Sequence, residues 1–180
     1  FLEFMIPQDP VPGDVVINEV LFDPWPGSTA YIELYNRSGK ALDLSGLYLG
    51  TAHAPDSSPD NRIAIAAASR ILLPGEYIVC SREPVRISSH YDVRFPDRSM
   101  VMKEFPPLYV NRGTIMLTSQ NLQIIDRMDY YTDMHFPLLP QKEGVALERI
   151  HFDRPSDDPS SWHSAAQSAG FGTPTYRNSQ

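Results

Sequence analysis

The chain has 180 residues, 42% of them hydrophobic and 21% charged, which is enough for a self-sufficient core without disulfide or metal staples. Its 17 prolines, close to twice the usual ~5%, disfavour long helices and uninterrupted central strands. A net charge of −7, with 15 scattered basic residues and no basic run, argues against a nucleic-acid backbone binder.

The chain opens with Phe1, and residues 1–13 have neither the charged start nor the apolar stretch of a signal peptide or membrane span. Asp9-Pro10-Val11-Pro12-Gly13 reads as a linker, so residues 1–13 are expected to be a linker or N-terminal extension and 14–180 one domain, cut from a longer or processed protein. Asp14 to Phe22 is rich in β-branched residues and stops at Asp23-Pro24-Trp25-Pro26-Gly27, which predicts a first strand. Tyr31 to Asn36 predicts a second, bounded by Arg37-Ser38-Gly39-Lys40. Leu42, Leu44 and Leu47 to Leu49 carry a third short strand around the Ser45-Gly46 corner, and residues 51–61 form a polar loop before a short strand at Arg62 to Ile65.

Leu72 to Glu76 is a turn, followed by a core strand at Tyr77 to Ser81. Four prolines chop residues 82–107 into a long loop, with a short helix or strand near Val85 to Tyr91. Asn111-Arg112-Gly113 predicts a turn, Thr114 to Thr118 and Ile124 to Tyr130 a hairpin, and Gly144 to Ile150 the last strand. From Asp153 the chain is polar and rich in Pro, Ser and Gly, anchored by Trp162. Many short strands with turn signals between them predict an all-β fold, a sandwich or barrel.

Several segments together carry a family likeness. Ile17-Asn18-Glu19, Tyr31 to Asn36, Leu42-Asp43-Leu44-Ser45-Gly46 and Leu73-Pro74-Gly75-Glu76-Tyr77 follow one another in an order that resembles the lamin tail domain. So do Asn111-Arg112-Gly113 with Ile115 and Leu117, Ile125-Asp126 with Tyr130, Gly144 to Arg149, and the closing Trp162, Gly172-Thr173-Pro174 and Asn178-Ser179. The chain departs from the family at Gly113-Thr114, where Gly-Asp is usual, and in longer loops at 51–61, 82–108 and 131–142. The resemblance, to the bacterial extracytoplasmic form, implies an immunoglobulin-like β-sandwich with long loop insertions. It also implies a non-catalytic structural or interaction module of a larger exported protein, in the periplasm, at the cell surface or secreted. The expected partner is a protein or cell-envelope component. A carbohydrate-binding or calcium-dependent adhesion domain and an accessory domain of a nuclease or hydrolase are the alternatives.

Glu19 and Glu33, on neighbouring strands, are the one candidate acid/base pair. The preferred reading is structural: these carboxylates meet backbone groups or an arginine, with Glu148-Arg149 offering the partner charge, and substituting Glu33 is expected to lower the melting temperature. Asn18 belongs to the same motif. Asn36, Asn111 and Asn178 are expected at turn edges, and Gly46, Gly75 and Gly113 at positive-φ corners.

The histidines His53, His90, His135, His151 and His163 lack metal-pair spacing, although His135 and His151 could meet in space. No cofactor is expected. A structural calcium ion is the alternative, through Asp153, Asp157 and Asp158 in one loop or Asp126 and Asp129 on one strand. Cys80 lies in an apolar run and reads as a buried strand thiol. For partner contact, the apolar, proline-rich Phe105-Pro106-Pro107-Leu108-Tyr109 is the favoured segment, through Phe105, Pro107 and Tyr109.

Overall fold

A computed structural model describes residues 5–52 and 58–180. Residues 1–4 of the expected linker and residues 53–57 of the 51–61 loop, His53 among them, lie outside the described residues. Two antiparallel-rich sheets face each other as an immunoglobulin-like sandwich. The first sheet contains β1 (Val15–Leu21), β2 (Tyr31–Asn36), β7 (Tyr77–Ser81), β8 (Ser99–Val101), β11 (Leu147–Arg149) and β12 (Trp162–Ser164), in the order β12-β11-β1-β2-β7-β8. The second contains β4 (Leu47–Thr51), β5 (Asp60–Ala64), β9 (Arg112–Ser119) and β10 (Ile124–Tyr131), in the order β10-β9-β4-β5. A two-stranded ribbon, β3 (Leu42–Asp43) with β6 (Ile71–Leu72), closes one end.

Side-chain alternation fills the space between the sheets. Val15, Ile17, Val20 and Phe22 from one strand, Ile32 and Leu34 from the next, and Ile78 and Cys80 meet Leu47, Leu49, Ile115, Leu117 and Met128 in one buried cluster. The six-stranded sheet is covered on its other face as well. There Leu21, Tyr31 and Val79 bury against Ile87 and Tyr91 of the 82–108 insertion and Ala146 and Ala165. This explains why every residue of β1 is buried, whereas a sheet with one wet face shows alternation.

Several elements differ from the sequence expectation for local reasons. The third strand is split, because the Asp43 carboxylate accepts from the backbone N–H of Ser45 at 2.9 Å and caps a 3-10 turn at Leu44–Gly46. The insertion holds the short helix expected near Val85, as a 3-10 turn at Pro84–Ser89, and in addition β8, which runs parallel to β7. Prolines at its flanks hid this edge strand.

Gly113 is not a positive-φ corner residue; it lies inside β9, opposite Tyr130. A Cβ there would sit 2.6 Å from the Tyr130 hydroxyl, so glycine is required by the ring that lies across it. Gly46 likewise has no positive φ, while Gly75, at φ 74°, is the turn residue expected.

Candidate functional site

The chemistry-bearing residues converge on the outer face of the six-stranded sheet. Glu19 stands in register with Glu33 on one side and Glu148 on the other, so three strands place three carboxylates in a row. A bulge between Ile17 and Glu19 makes the row possible. The extra residue lets Asn18 accompany Glu19 on the outer face while Ile17 and Val20 both remain in the core. All three glutamates have zero solvent exposure.

Their partners come from the far end of the chain. Residues 171–180 cross the sheet as a strap that aims backbone N–H groups at the carboxylates. Thr173 N–H donates to Glu19 Oε1 at 2.9 Å, Thr175 N–H donates to Glu33 Oε2, and Ser179 N–H donates to Glu148 Oε2 at 2.9 Å. Side chains complete the set. Tyr31 donates its hydroxyl to Glu19 at 2.5 Å, Asn18 donates to Glu33 at 2.7 Å, and Ser179 donates its hydroxyl to Glu148 at 2.6 Å. Gly172 allows the strap to approach, since a Cβ there would meet the Tyr91 ring at 2.8 Å and the Tyr31 hydroxyl at 2.9 Å.

Among the described residues no cation joins this row, which corrects the expectation for Arg149. Neighbouring residues of a strand face opposite ways; with Glu148 outward, Arg149 turns into the sandwich. Its side chain, with no exposure, forms an ion pair with Asp126 at 3.2 Å and lies over the Trp162 ring. It also donates to the carbonyls of Ile17 at 2.7 Å and Arg154 at 2.8 Å, and to the Ser156 hydroxyl. Asp126 in turn accepts from the Ile17 N–H at 2.7 Å and from Ser156. Because β11 stops pairing with β1 at Glu19, Ile17, in register with Leu34 of β2 on one side, has no strand partner on its β11 side. The Arg149–Asp126 pair supplies the missing donor and acceptor.

Asn178 is not at a turn edge either. It exchanges hydrogen bonds with Asn18 and donates to the Arg149 carbonyl at 2.8 Å, filling the gap between the diverging strands. Asn36 behaves as expected: its Oδ1 accepts from the Ser38 N–H two residues on, and its amide donates to the carbonyls of Lys40 and Leu72.

Burial dominates the electrostatics of the row. It pushes Glu19 up to about 8, aided by the neighbouring Glu148, against the donors Tyr31 and Thr173. Burial, then Glu19, raises Glu33 well above the carboxylate range, against Asn18 and Thr175. The same burial and the charge of Glu19 raise the Tyr31 hydroxyl. As acid/base equipment the row is unpromising, because its oxygens are occupied and the strap seals it. Of three surface hollows, of about 550, 290 and 250 Å3, the first lies over the strap, against Thr173, Asn178, Ser179 and Arg94, and none is lined by a glutamate of the row.

The remaining candidates are dispersed. Burial pushes the Cys80 thiol up to about 12, which suppresses the nucleophilic thiolate. His135 is buried, with its Nδ1 2.9 Å from the Ser164 hydroxyl, whereas His151 is exposed beside Asp153. Asp153 pairs with Arg37, Asp158 caps a short 3-10 turn, Asp126 serves Arg149, and Asp129 pairs with Arg127. Among the described residues no group of three or more His, Cys, Asp or Glu is placed to hold a metal.

In the favoured contact segment, Phe105 is turned inward and packs against the core with Leu108, so it is withdrawn as a contact residue. Pro107 is exposed, and Tyr109 is 59% exposed. Tyr109 is joined there by Val110 and Tyr131, both exposed. Hydrogen bonds fix the backbone beneath: Tyr130 donates to the Tyr109 carbonyl at 3.1 Å and Thr132 to the Val110 carbonyl at 2.8 Å.

The partners of the glutamate row, Thr173, Thr175 and Ser179, escaped sequence reasoning. The only signal was the Gly172-Thr173-Pro174 and Asn178-Ser179 likeness, which says nothing of what those residues touch.

The profile of the Lamin Tail Domain matches residues 8–132. Among solved structures, a DUF4876 family protein from Bacteroides thetaiotaomicron superposes with a TM-score of 0.53 at 12% identity, over 94% of this chain and 68% of that one. At that identity the likeness speaks for the fold alone. No curated protein sequence matches the chain.

Proposed function

The chain belongs to the lamin tail domain family, and from that membership we propose that it is a non-catalytic interaction module of a larger exported bacterial protein, holding a protein or cell-envelope partner. The observation that carries this reading is how the molecule uses its polar and apolar groups. Its one cluster of convergent acids is closed off by its own strap and serves the fold. The side chains Tyr109, Val110 and Tyr131 stay outside, on a backbone fixed by side-chain hydrogen bonds. Exposed aromatics on a rigid support suit a protein contact, because they supply contact area with little ordering cost.

Co-sedimentation with fractionated bacterial envelope, and in parallel with duplex DNA at low and raised salt, tests this. Retention on an envelope fraction that is lost in a Tyr109→Ser/Tyr131→Ser variant supports the reading. Retention on DNA that falls steeply with salt, or no retention on any envelope fraction, overturns it. No helix among the described residues is long and apolar enough to cross a membrane, so retention would have to come from surface contacts of this kind.

A further inference from the structure

The hydrogen bonds under the strap do not balance unless a proton is stored there. Thr173 Oγ1 lies 3.1 Å from Glu19 Oε2 and 2.6 Å from Glu148 Oε1. A hydroxyl has one proton to give. It can satisfy one carboxylate, and the other must then donate to it as a carboxylic acid. Glu148 already accepts from the N–H and hydroxyl of Ser179 at its second oxygen and takes the shorter bond from Thr173, which is the pattern of an ionised acceptor. Glu19 then carries the proton on Oε2.

We propose that the strap, residues 171–180, is a proton-dependent latch: it stays docked while one proton is shared along Glu19–Thr173–Glu148, and it lifts from the sheet when that proton is lost. Loss of the proton to solvent base would leave two facing carboxylate oxygens and a single hydroxyl proton between them. Among the described residues no cation forms an ion pair with the row. From β2 the row is faced by Tyr31 and Glu33, and from β11 by Glu148. The insertion contributes Tyr91 and the strap Tyr176, both within electrostatic reach of Glu19. From β7, Tyr77 and Cys80 feel the charge of Glu33. These are acids or neutral groups. Among the described residues the nearby cations are engaged elsewhere: Arg149 faces the sandwich interior, Arg94 of the insertion lies over the Tyr176 ring at 3.8 Å and pairs with Asp92, and Arg177 and Arg98 act on Tyr77.

The direction agrees with the position of Glu19, held protonated up to about 8. Once the strap is lifted, that carboxyl meets water and returns to the ordinary range near ~4.3. Opening is therefore linked to release of one proton, and its equilibrium rises with pH by up to about tenfold per pH unit between those two values. The strap leaves the body through a local turn at Gly170 and Phe171, with φ of 75° and 67°, and beyond it the backbone bond from the Ala146 N–H to the Phe171 carbonyl, at 2.9 Å, ties it to the residue before β11.

The test is carried out on the unaltered domain. Side-chain carboxyl carbons of the glutamates are followed by NMR from about pH 4 to 9, and amide exchange protection of Thr173, Thr175 and Ser179 is compared with that of Ile32 and Ile78 in the sheet. Glu19 titrating far above the ordinary range, as buried Glu33 also should, with strap protection falling by nearly tenfold per pH unit while the sheet amides hold, is the expected result. Titration of every glutamate in the ordinary range, or strap protection that follows the sheet at all pH values, overturns the latch. Thr173→Val keeps the shape and removes the bridging hydroxyl; it should flatten the pH dependence of strap protection, and an unchanged slope would also overturn the proposal.

Discussion

Replacing Arg149 by methionine removes the guanidinium and keeps most of the side-chain volume. In the native fold that group has no solvent exposure, and its four hydrogen bonds go to Asp126, Ser156 and the carbonyls of Ile17 and Arg154. Asp126, with a side chain only 12% exposed, is left without its counter-charge. Burial already raises this carboxyl above its ordinary value even with Arg149 beside it, and lowers the guanidinium in the same way. Breaking one partner of such a pair costs about 3–5 kcal/mol. For a domain of this size each kcal/mol shifts Tm by about 2–4 °C, so thermal unfolding should move down by roughly 6–20 °C. Urea unfolding with intrinsic fluorescence checks the free energy directly. Adding Asp126→Asn should recover part of the loss, because the amide oxygen still accepts from the Ile17 N–H and no uncompensated charge remains. A Tm for Arg149→Met within about 2 °C of the parent, or strictly additive losses in the double variant, would refute the view that this pair replaces a missing strand contact.

Three further outcomes follow from other parts of the fold. Gly113→Ala should destabilise by about 1–3 kcal/mol in urea unfolding, because the Tyr130 ring that it meets is held by stacking on Phe22 at 4.7 Å and by its bond to Tyr109; an unchanged midpoint would mean the ring can step aside. Glu33→Ala leaves the Thr175 N–H without its acceptor and Asn18 Nδ2 with only Asn178 in a buried site, so Tm should fall, with a cost of about 1–3 kcal/mol for each unsatisfied N–H. His135 is held neutral by burial, down to about 4. A depressed histidine contributes stability that is complete above the ordinary ~6.5 and lost as pH falls toward the folded value. His135→Phe should therefore flatten the acid limb of the stability–pH curve between about pH 6.5 and 4, and an unchanged limb would remove His135 from the account. Glu19 works in the opposite sense: its folded-state value is raised, so its contribution is complete in acid and drains away as pH rises toward about 8.

Much of the fold was legible in the sequence because its causes are local. β-Branched runs between turn clusters marked β1, β2, β7 and the β9–β10 hairpin, Pro74-Gly75 marked the turn before β7, and Asn36 announced its own Asx turn. The family likeness supplied the sandwich. The strands β8 and β12 were hidden, since three residues beside prolines or serines carry too little pattern to stand out. For the glutamates, the strand residues themselves showed that Glu19 and Glu33 were buried and needed partners. Which partners they found was settled only when residues 171–180 closed over the sheet, more than a hundred positions away along the chain for Glu19 and Glu33. Arg149, adjacent to Glu148, was drawn to the opposite side by strand alternation and by the Ile17 carbonyl on the side that β11 leaves open. Sequence determines which groups cannot be left alone when buried; only the tertiary structure decides who satisfies them, because that choice depends on which distant segments share a face.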